Sequence, residues 1–156
     1  MAVKKVVKKF APQFIGRHIS LHIEQIEDSV CTDSKWLGFI IEQLISNAVK
    51  YSKDGGSVRI YTLHGKGDIK KNSKDDSLQL VIEDTGIGIN EEDIPRIMER
   101  GFTGYNGRLD RKSSGIGLYL CRKAADRLGF VITFDASYKN GTRVVIDMTQ
   151  RYTKHE

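Results

Sequence analysis

The chain has 156 residues, enough for one domain with a sizeable core, and its 39% hydrophobic and 29% charged content is typical of a soluble globular protein. No apolar stretch approaches the roughly 20 residues that span a bilayer, and no secretory signal opens the sequence. The net charge of +5 raises nucleic acid as a partner, but no aromatic residues alternate with the scattered lysines and arginines, so we expect no nucleic-acid binding.

The first elements are a helix and a strand. Residues 1–14 place apolar side chains at helical spacing among lysines, which predicts the end of a helix that continues upstream; a membrane-surface helix is the alternative. Ile19, Leu21 and Ile23 then alternate with polar residues and predict a half-buried strand.

A second helix follows. Thr32 or Asp33 can cap it, and it runs to about Tyr51, where glycines stop it and lead into a strand over residues 58–63 and a polar loop over 64–77. Its predicted core residues, spaced three and four apart, are Leu37, Ile40, Ile41, Leu44, Ile45 and Ala48.

The middle of the chain predicts a strand, a helix start and a loop. The strand over 78–84 alternates apolar residues and ends at Asp84. Asn90, followed by three acidic residues, is typical of a capped helix start. Residues 99–114 contain three glycines and few apolar residues, which favours a mobile loop.

The last elements are a helix from Gly115 to about Leu128 and two strands, 130–134 and 143–148, that meet at a turn around Asn140 and Gly141. Five strands and three helices predict an α/β (α+β) two-layer sandwich, with a mixed five-stranded sheet packed on three helices.

One face of the second helix carries a polar stripe of Gln43, Asn47, Lys50 and Tyr51. Asn47 offers an amide oxygen suited to Mg²⁺, Lys50 can reach a phosphate, and Tyr51 can lie against a flat base. A polar, solvent-facing stripe with nothing bound is the alternative.

Two glycine turns complete a candidate nucleotide site. Asp84 ends a strand of inward-facing apolar residues and needs a donor, such as the amine of adenine, while Gly86 and Gly88 leave room for the ring. Gly115 and Gly117 open a helix whose N-terminus suits an anion. Alone, the first could be a self-satisfied turn and the second a capped helix start.

Together, these three segments resemble the N, G1 and G2 boxes of the ATPase/kinase superfamily of gyrase, a heat-shock chaperone, a mismatch-repair protein and the histidine kinases. The resemblance covers about residues 15–150. It implies ATP and Mg²⁺ as ligands, with Mg²⁺ on Asn47, phosphate on Lys50, the base on Tyr51 and Asp84, and Thr142 near the base through water. The other implied contacts are Gly86, Gly88, Ser114, Gly115, Ile116, Gly117 and Leu118.

Residues 47–52 resemble the N box of histidine kinases in particular. Residues 99–108, with Phe102, Thr103 and Arg108, resemble the F box of kinases paired with bacitracin-type and antimicrobial-peptide export transporters. Residues 99–114 would then form a flexible ATP lid, in which Arg108, Arg111 and Lys112 are candidates for phosphate contacts. Residues 15–152 would form the catalytic domain, and 1–14 the end of a linker helix from a dimerisation domain.

The resemblance implies several partners: that dimerisation and phosphoacceptor domain, a response regulator and, through the full-length protein, an ABC transporter. We expect the isolated domain to be monomeric and to lie on the cytoplasmic side of a membrane protein. Cys31 and Cys121 are isolated from other metal-type residues, which fits a reduced compartment.

One departure bears on the reaction. ATP-hydrolysing relatives place a glutamate four residues before the asparagine as general base, but here that position is Gln43, so no catalytic residue is assigned. No histidine lies in a phosphoacceptor context. We therefore expect phosphoryl transfer to a histidine supplied elsewhere; the alternatives are an ATP-driven clamp and a nucleotide-binding docking module without transfer activity.

Overall fold

The computed structural model describes residues 2–24, 35–64, 78–102 and 116–148. Within these ranges the helices are α1 (Ala2–Gly16), α2 (Lys35–Tyr51) and α3 (Gly117–Leu128), with a short 3-10 helix over Glu91–Arg96. The strands are β1 (Ser20–Ile23), β2 (Ser57–His64), β3 (Leu78–Asp84), β4 (Val131–Phe134) and β5 (Thr142–Asp147).

The five strands form one mixed sheet in the order β1-β2-β3-β5-β4. β1 is parallel to β2, and the other neighbours are antiparallel. β3 is therefore central, with β2 on one side and β5 on the other. The predicted mixed five-stranded sheet is confirmed.

The core lies between one face of this sheet and the helices. α2 contributes the six residues that its spacing predicted, all at most 3% exposed, and it packs between α1 and α3. α1 buries Val3, Val6, Phe10 and Phe14 in the same core. The predicted N-terminal helix thus forms, while its assignment to a linker from a separate domain stays a prediction.

Two local features differ from the predictions. The acidic segment after Asn90 forms a 3-10 helix with Pro95 inside it, and the Asn90 side chain makes no capping hydrogen bond. The β4–β5 connection bends at Asn140 and Gly141, as predicted, but it also contains a turn at Ala136 and Ser137 that was not predicted. This turn forms because Asp135 accepts hydrogen bonds from the Ser137 backbone and side chain.

Several predictions lie outside the described residues. These are the helix cap at Thr32 or Asp33, the loop over residues 65–77 and the part of the proposed lid over residues 103–115. No helix in the described ranges is both long and apolar enough to cross a bilayer.

Candidate nucleotide site

The C-terminal half of α2 presents the predicted polar stripe beside the sheet. Asn47 and Tyr51 are half-buried, and Lys50 is exposed, with its Nζ 5.3 Å from the centre of the Tyr51 ring. Core residues occupy the other side of α2, so this stripe lies on the side of the helix away from the core. The structure therefore brings an amide oxygen, a cation and an aromatic ring to one end of one helix.

Arg17 fixes that end of α2, a role that the sequence analysis missed. Its guanidinium donates to the backbone carbonyls of Val49 and Ser52, and its Nε lies 2.9 Å from Asp54 Oδ1. The last carbonyls of a helix lack intrahelical donors and carry partial negative charge, so a cation there stabilises the terminus. A contact between residues this far apart leaves no local signal in the sequence.

Asp84 lies at the end of β3 with only 5% of its surface exposed. Its Oδ1 accepts hydrogen bonds from the backbone N–H groups of Gly86 at 2.8 Å and Thr142 at 3.2 Å. Within the described ranges Oδ2 accepts no hydrogen bond, so it can accept one from a ligand. Burial raises the pKa of Asp84 to about 6, against the opposing effect of these two backbone donors.

Glycine is required in the turn after Asp84 because two backbone segments press against it. A Cβ on Gly86 would lie 2.1 Å from the carbonyl oxygen of Tyr51, and the same oxygen accepts the Ile87 N–H at 3.2 Å. A Cβ on Gly141 would lie 2.0 Å from the Asp84 carbonyl oxygen. This turn thus packs tightly between the end of α2 and the start of β5, and this packing requires glycine at position 141.

The α2 stripe also touches the start of α3. A Cβ on Gly117 would lie 2.6 Å from Oε1 of Gln43, so the two segments are in direct contact there. Glu42, the neighbouring carboxylate, instead forms an ion pair with Lys9 of α1 at 2.5 Å. Glu42 is therefore held on the α1 side of α2, away from the α3 N-terminus.

The predicted site residues are brought together in part. Asn47, Lys50 and Tyr51 share the end of α2, where the Tyr51 carbonyl oxygen lies against Gly86 and accepts the Ile87 N–H. Thr142 binds the Asp84 carboxylate directly through its backbone N–H. Ile116, Gly117 and Leu118 begin α3, and the Phe102 ring lies 4.5 Å from the Arg96 guanidinium. The remaining predicted residues, outside the described ranges, are Thr103, Arg108, Arg111, Lys112, Ser114 and Gly115.

A cavity of about 140 Å³ lies next to this turn. It is enclosed by the loop that follows β3 and by the β4–β5 hairpin, and Gly88 and Thr142 belong both to its wall and to the predicted site. In the described part of the chain, no group of three or more His, Cys, Asp or Glu residues is arranged to hold a metal ion.

Comparison with known proteins decides the family. Residues 32–151 match the family described as histidine kinase-, DNA gyrase B- and HSP90-like ATPases. The chain belongs to this family. The matched range includes α2, the Asp84 turn, α3 and β5, so the segments that suggested the resemblance are the segments that carry the match.

Curated relatives include the sensor protein BceS of Bacillus subtilis strain 168, 37% identical over 138 residues. The sensor protein kinase GraS of Staphylococcus aureus strain JH1 is 38% identical over 120 residues. The matched regions cover 88% and 77% of this chain but only 38% and 32% of those proteins. The chain thus spans roughly a third of the length of these relatives.

Solved structures show the same fold. The catalytic domain of the histidine kinase ThkA aligns with a TM-score of 0.75 at 18% identity, covering 94% of this chain and 88% of that one. The mycobacterial sensor histidine kinase MprB aligns with a TM-score of 0.70 at 22% identity, covering 94% and 91%. These structures confirm the fold, while the family match and the curated relatives confirm the recognition of a histidine-kinase-type ATPase domain.

Proposed function

We propose that this domain positions Mg-ATP for transfer of the γ-phosphoryl group to a histidine on a separate helical domain, which then phosphorylates a response regulator. The observation that carries the proposal is the Asp84 carboxylate. It is buried, its Oδ1 is occupied by two backbone donors, and its Oδ2 has none among the described residues. A purine amine supplies the donor that such a group requires.

The other roles are inferred from the positions of the remaining residues along α2 and at the start of α3. Tyr51 lies one helical turn beyond Asn47 and can cover the base, while Lys50 supplies a positive charge for phosphate. The N-terminus of α3, which begins at Gly117, directs backbone N–H groups and a positive dipole toward an anion. Phosphoryl transfer depends mainly on positioning and charge stabilisation, which these groups can provide.

Magnesium fits this donor set in a limited way. Mg²⁺ prefers oxygen ligands and is usually held by one or two protein oxygens together with water and substrate phosphates. The Asn47 amide oxygen can supply one such ligand, and the described residues hold no cluster of acids that would form a site without nucleotide. When bound, the ion would neutralise negative charge on the phosphates.

Calorimetry with ATP tests the site directly. Asp84→Asn should weaken ATP binding by about 1–3 kcal/mol, because a charge-assisted hydrogen bond to the base becomes a weaker neutral one. Asp54→Asn is the matched control, since Asp54 is an exposed carboxylate at the end of α2 whose recorded partner is Arg17. Unchanged ATP affinity in Asp84→Asn would remove Asp84 from the site.

For the whole protein, we propose a membrane-attached sensor kinase that works with a response regulator and an antimicrobial-peptide export transporter. The similarity to BceS and GraS and the F-box resemblance of residues 99–108 support this proposal. Phosphotransfer from the phosphorylated kinase to candidate regulators, compared by initial rate, tests the partnership. Equal rates for all regulators would contradict a dedicated partner.

A further inference from the structure

The face of the sheet that points away from the helices carries a buried carboxylate that nucleotide binding does not use. Glu83 lies near the end of β3, and its side chain is only 4% exposed. The adjacent Asp84 points to the opposite face, because successive residues of a strand alternate. A buried charge is strongly unfavourable without partners, so Glu83 requires nearby donors.

Three side chains from neighbouring strands supply these donors. Arg59 of β2 donates from Nη1 to Oε1 at 3.1 Å, while Arg143 of β5 donates from Nε to Oε2 at 2.8 Å. The Tyr61 hydroxyl also donates to Oε2, and burial together with this hydrogen bond raises its pKa to about 12. Glu83 is thereby held from both sides of the central strand.

Each of the two arginines makes a second ion pair, Arg59 with Glu24 and Arg143 with Asp135. The Arg143 Nη1 donates to Oδ2 of Asp135 at 2.9 Å, and Asp135 lies opposite Arg143 at the turn end of the β4–β5 hairpin. Its guanidinium also lies 4.4 Å from the centre of the Tyr138 ring, and the Tyr138 hydroxyl donates to the Asp84 carbonyl oxygen at 3.4 Å. Arg143 thus joins the hairpin, the start of β5 and the end of β3.

This junction lies directly behind the predicted base site. Glu83–Arg143 and Asp84–Thr142 are adjacent cross-strand pairs of β3 and β5. The first pair faces outward and the second inward, so a displacement of Arg143 also displaces Thr142. The Thr142 N–H is one of the two donors to Oδ1 of Asp84.

We propose that Arg143 is a positioning residue for base recognition: its simultaneous ion pairs with Glu83 and Asp135 hold the Thr142 N–H on the Asp84 carboxylate. The inference rests on the proposed nucleotide site. Arg143 acts through Thr142 and Asp84 from the opposite face of the sheet.

The test compares Arg143→Met with Arg59→Met in the 156-residue chain. Both variants remove one cationic partner of Glu83, but only Arg143 is joined to Asp135 and adjacent to Thr142. We expect Arg143→Met to weaken ATP binding about tenfold, the effect of a lost hydrogen bond to a charged group. Arg59→Met should leave the affinity unchanged. Urea unfolding of both variants reports any shared loss of stability.

The pH dependence of ATP binding is the readout that a merely structural role would not change. Asp84 must be ionised to accept the base amine, so affinity should fall as the pH drops through its pKa of about 6. Because the Thr142 N–H lowers that pKa, losing it in Arg143→Met should move the fall in affinity to higher pH. In Arg59→Met the decrease in ATP affinity should occur at the same pH as in the unaltered chain.

Other ionisable groups lie on the elements around Asp84: Lys50 and Tyr51 of α2, Tyr138 and Asp135 of the hairpin, Glu83 of β3 and Arg143 of β5. Hydrogen bonds from Ser137 and Arg143 hold the pKa of Asp135 below its usual range, so Asp135 stays ionised between about pH 5 and 8. Burial raises the pKa of Tyr138 above its usual value, so this phenol stays neutral over the same range.

Equal ATP affinity and an unmoved pH profile in Arg143→Met would overturn the inference, as would the same losses in Arg59→Met. If Arg143→Met does not fold, Asp135→Asn removes the charge that pairs with Arg143, while the remaining Oδ1 can still accept the hydrogen bonds from Ser137. This variant should shift the profile in the same direction; an unmoved profile there would also overturn the inference. If the unaltered chain binds no ATP, the proposed function is overturned as well. If Asp84→Asn weakens ATP binding and Arg143→Met does not, only the inference about Arg143 is overturned.

Discussion

Asp84 illustrates how one residue trades stability for binding. Its carboxylate is buried beside two backbone donors, and burial raises its pKa to about 6, above the ordinary value of 3.8. The ionised form is therefore disfavoured in the unliganded fold, even though base recognition needs it. The sequence predicted the inward direction of Asp84 from strand alternation, but it could not predict the two donors, because Thr142 is 58 residues away.

The raised pKa of Asp84 predicts a pH-dependent effect on the free energy of unfolding. A carboxylate with a raised pKa in the folded state favours folding fully below its unfolded pKa, and this contribution is lost as the pH rises through about 6. Asp84→Asn should therefore raise the unfolding free energy of the unliganded chain at pH 8 by up to about 3 kcal/mol, since two pKa units correspond to that amount. The difference should shrink toward pH 4. Urea unfolding at both pH values measures it, and an equal difference at both would contradict the role of ionisation.

At the scale of the elements, alternation and helical spacing predicted most of the fold. Both periodicities indicate which side of an element is buried. The buried faces of α2, from Leu37 to Ala48, and of β3, from Leu78 to Asp84, were therefore predicted correctly. Contacts between distant segments were not predictable in this way. The Arg17 cap of α2 and the packing of Gly141 on Asp84 depend on the assembled sheet and helices, which no local pattern encodes.

The contact between α2 and the turn after β3 can be tested with two glycines. Gly86→Ala should destabilise the chain by about 1–3 kcal/mol and weaken ATP binding, because its Cβ would lie 2.1 Å from the Tyr51 carbonyl oxygen. Gly38→Ala is the matched control within α2, where a Cβ would meet nothing within 4 Å. It should stabilise the chain by about 0.5–1 kcal/mol and leave ATP binding unchanged. Unchanged stability and unchanged ATP affinity in Gly86→Ala would mean that the turn does not pack tightly against α2.

At the scale of the whole molecule, we propose that the nucleotide site receives its phosphoacceptor histidine from a separate domain. The site is assembled where α2, the turn after β3 and the start of α3 meet. Gln43 lies at this junction, against Gly117, and it has no titratable group. By the resemblance to ATP-hydrolysing relatives, we expect it to occupy the position of their general base. Glu42 does not replace it, because its ion pair with Lys9 holds it on the α1 side of α2.

We therefore expect the 156-residue chain to bind ATP but to release phosphate slowly and to remain unlabelled by ATP. Phosphohistidine should form once the phosphoacceptor domain of its own kinase is added in trans, because positioning and charge supply most of the acceleration in phosphoryl transfer.

Gln43→Glu would place a carboxylate next to Gly117 and should raise ATP hydrolysis by up to about 10²-fold, the lower range of general-base assistance. Asn47→Ala is the control that should abolish Mg²⁺-dependent activity in every case. Labelled ATP, followed by acid and base stability of the labelled protein and by released phosphate, measures each step. Rapid Asn47-dependent phosphate release by the unaltered chain would favour a true ATPase over a kinase domain, and label on the chain alone would favour self-modification.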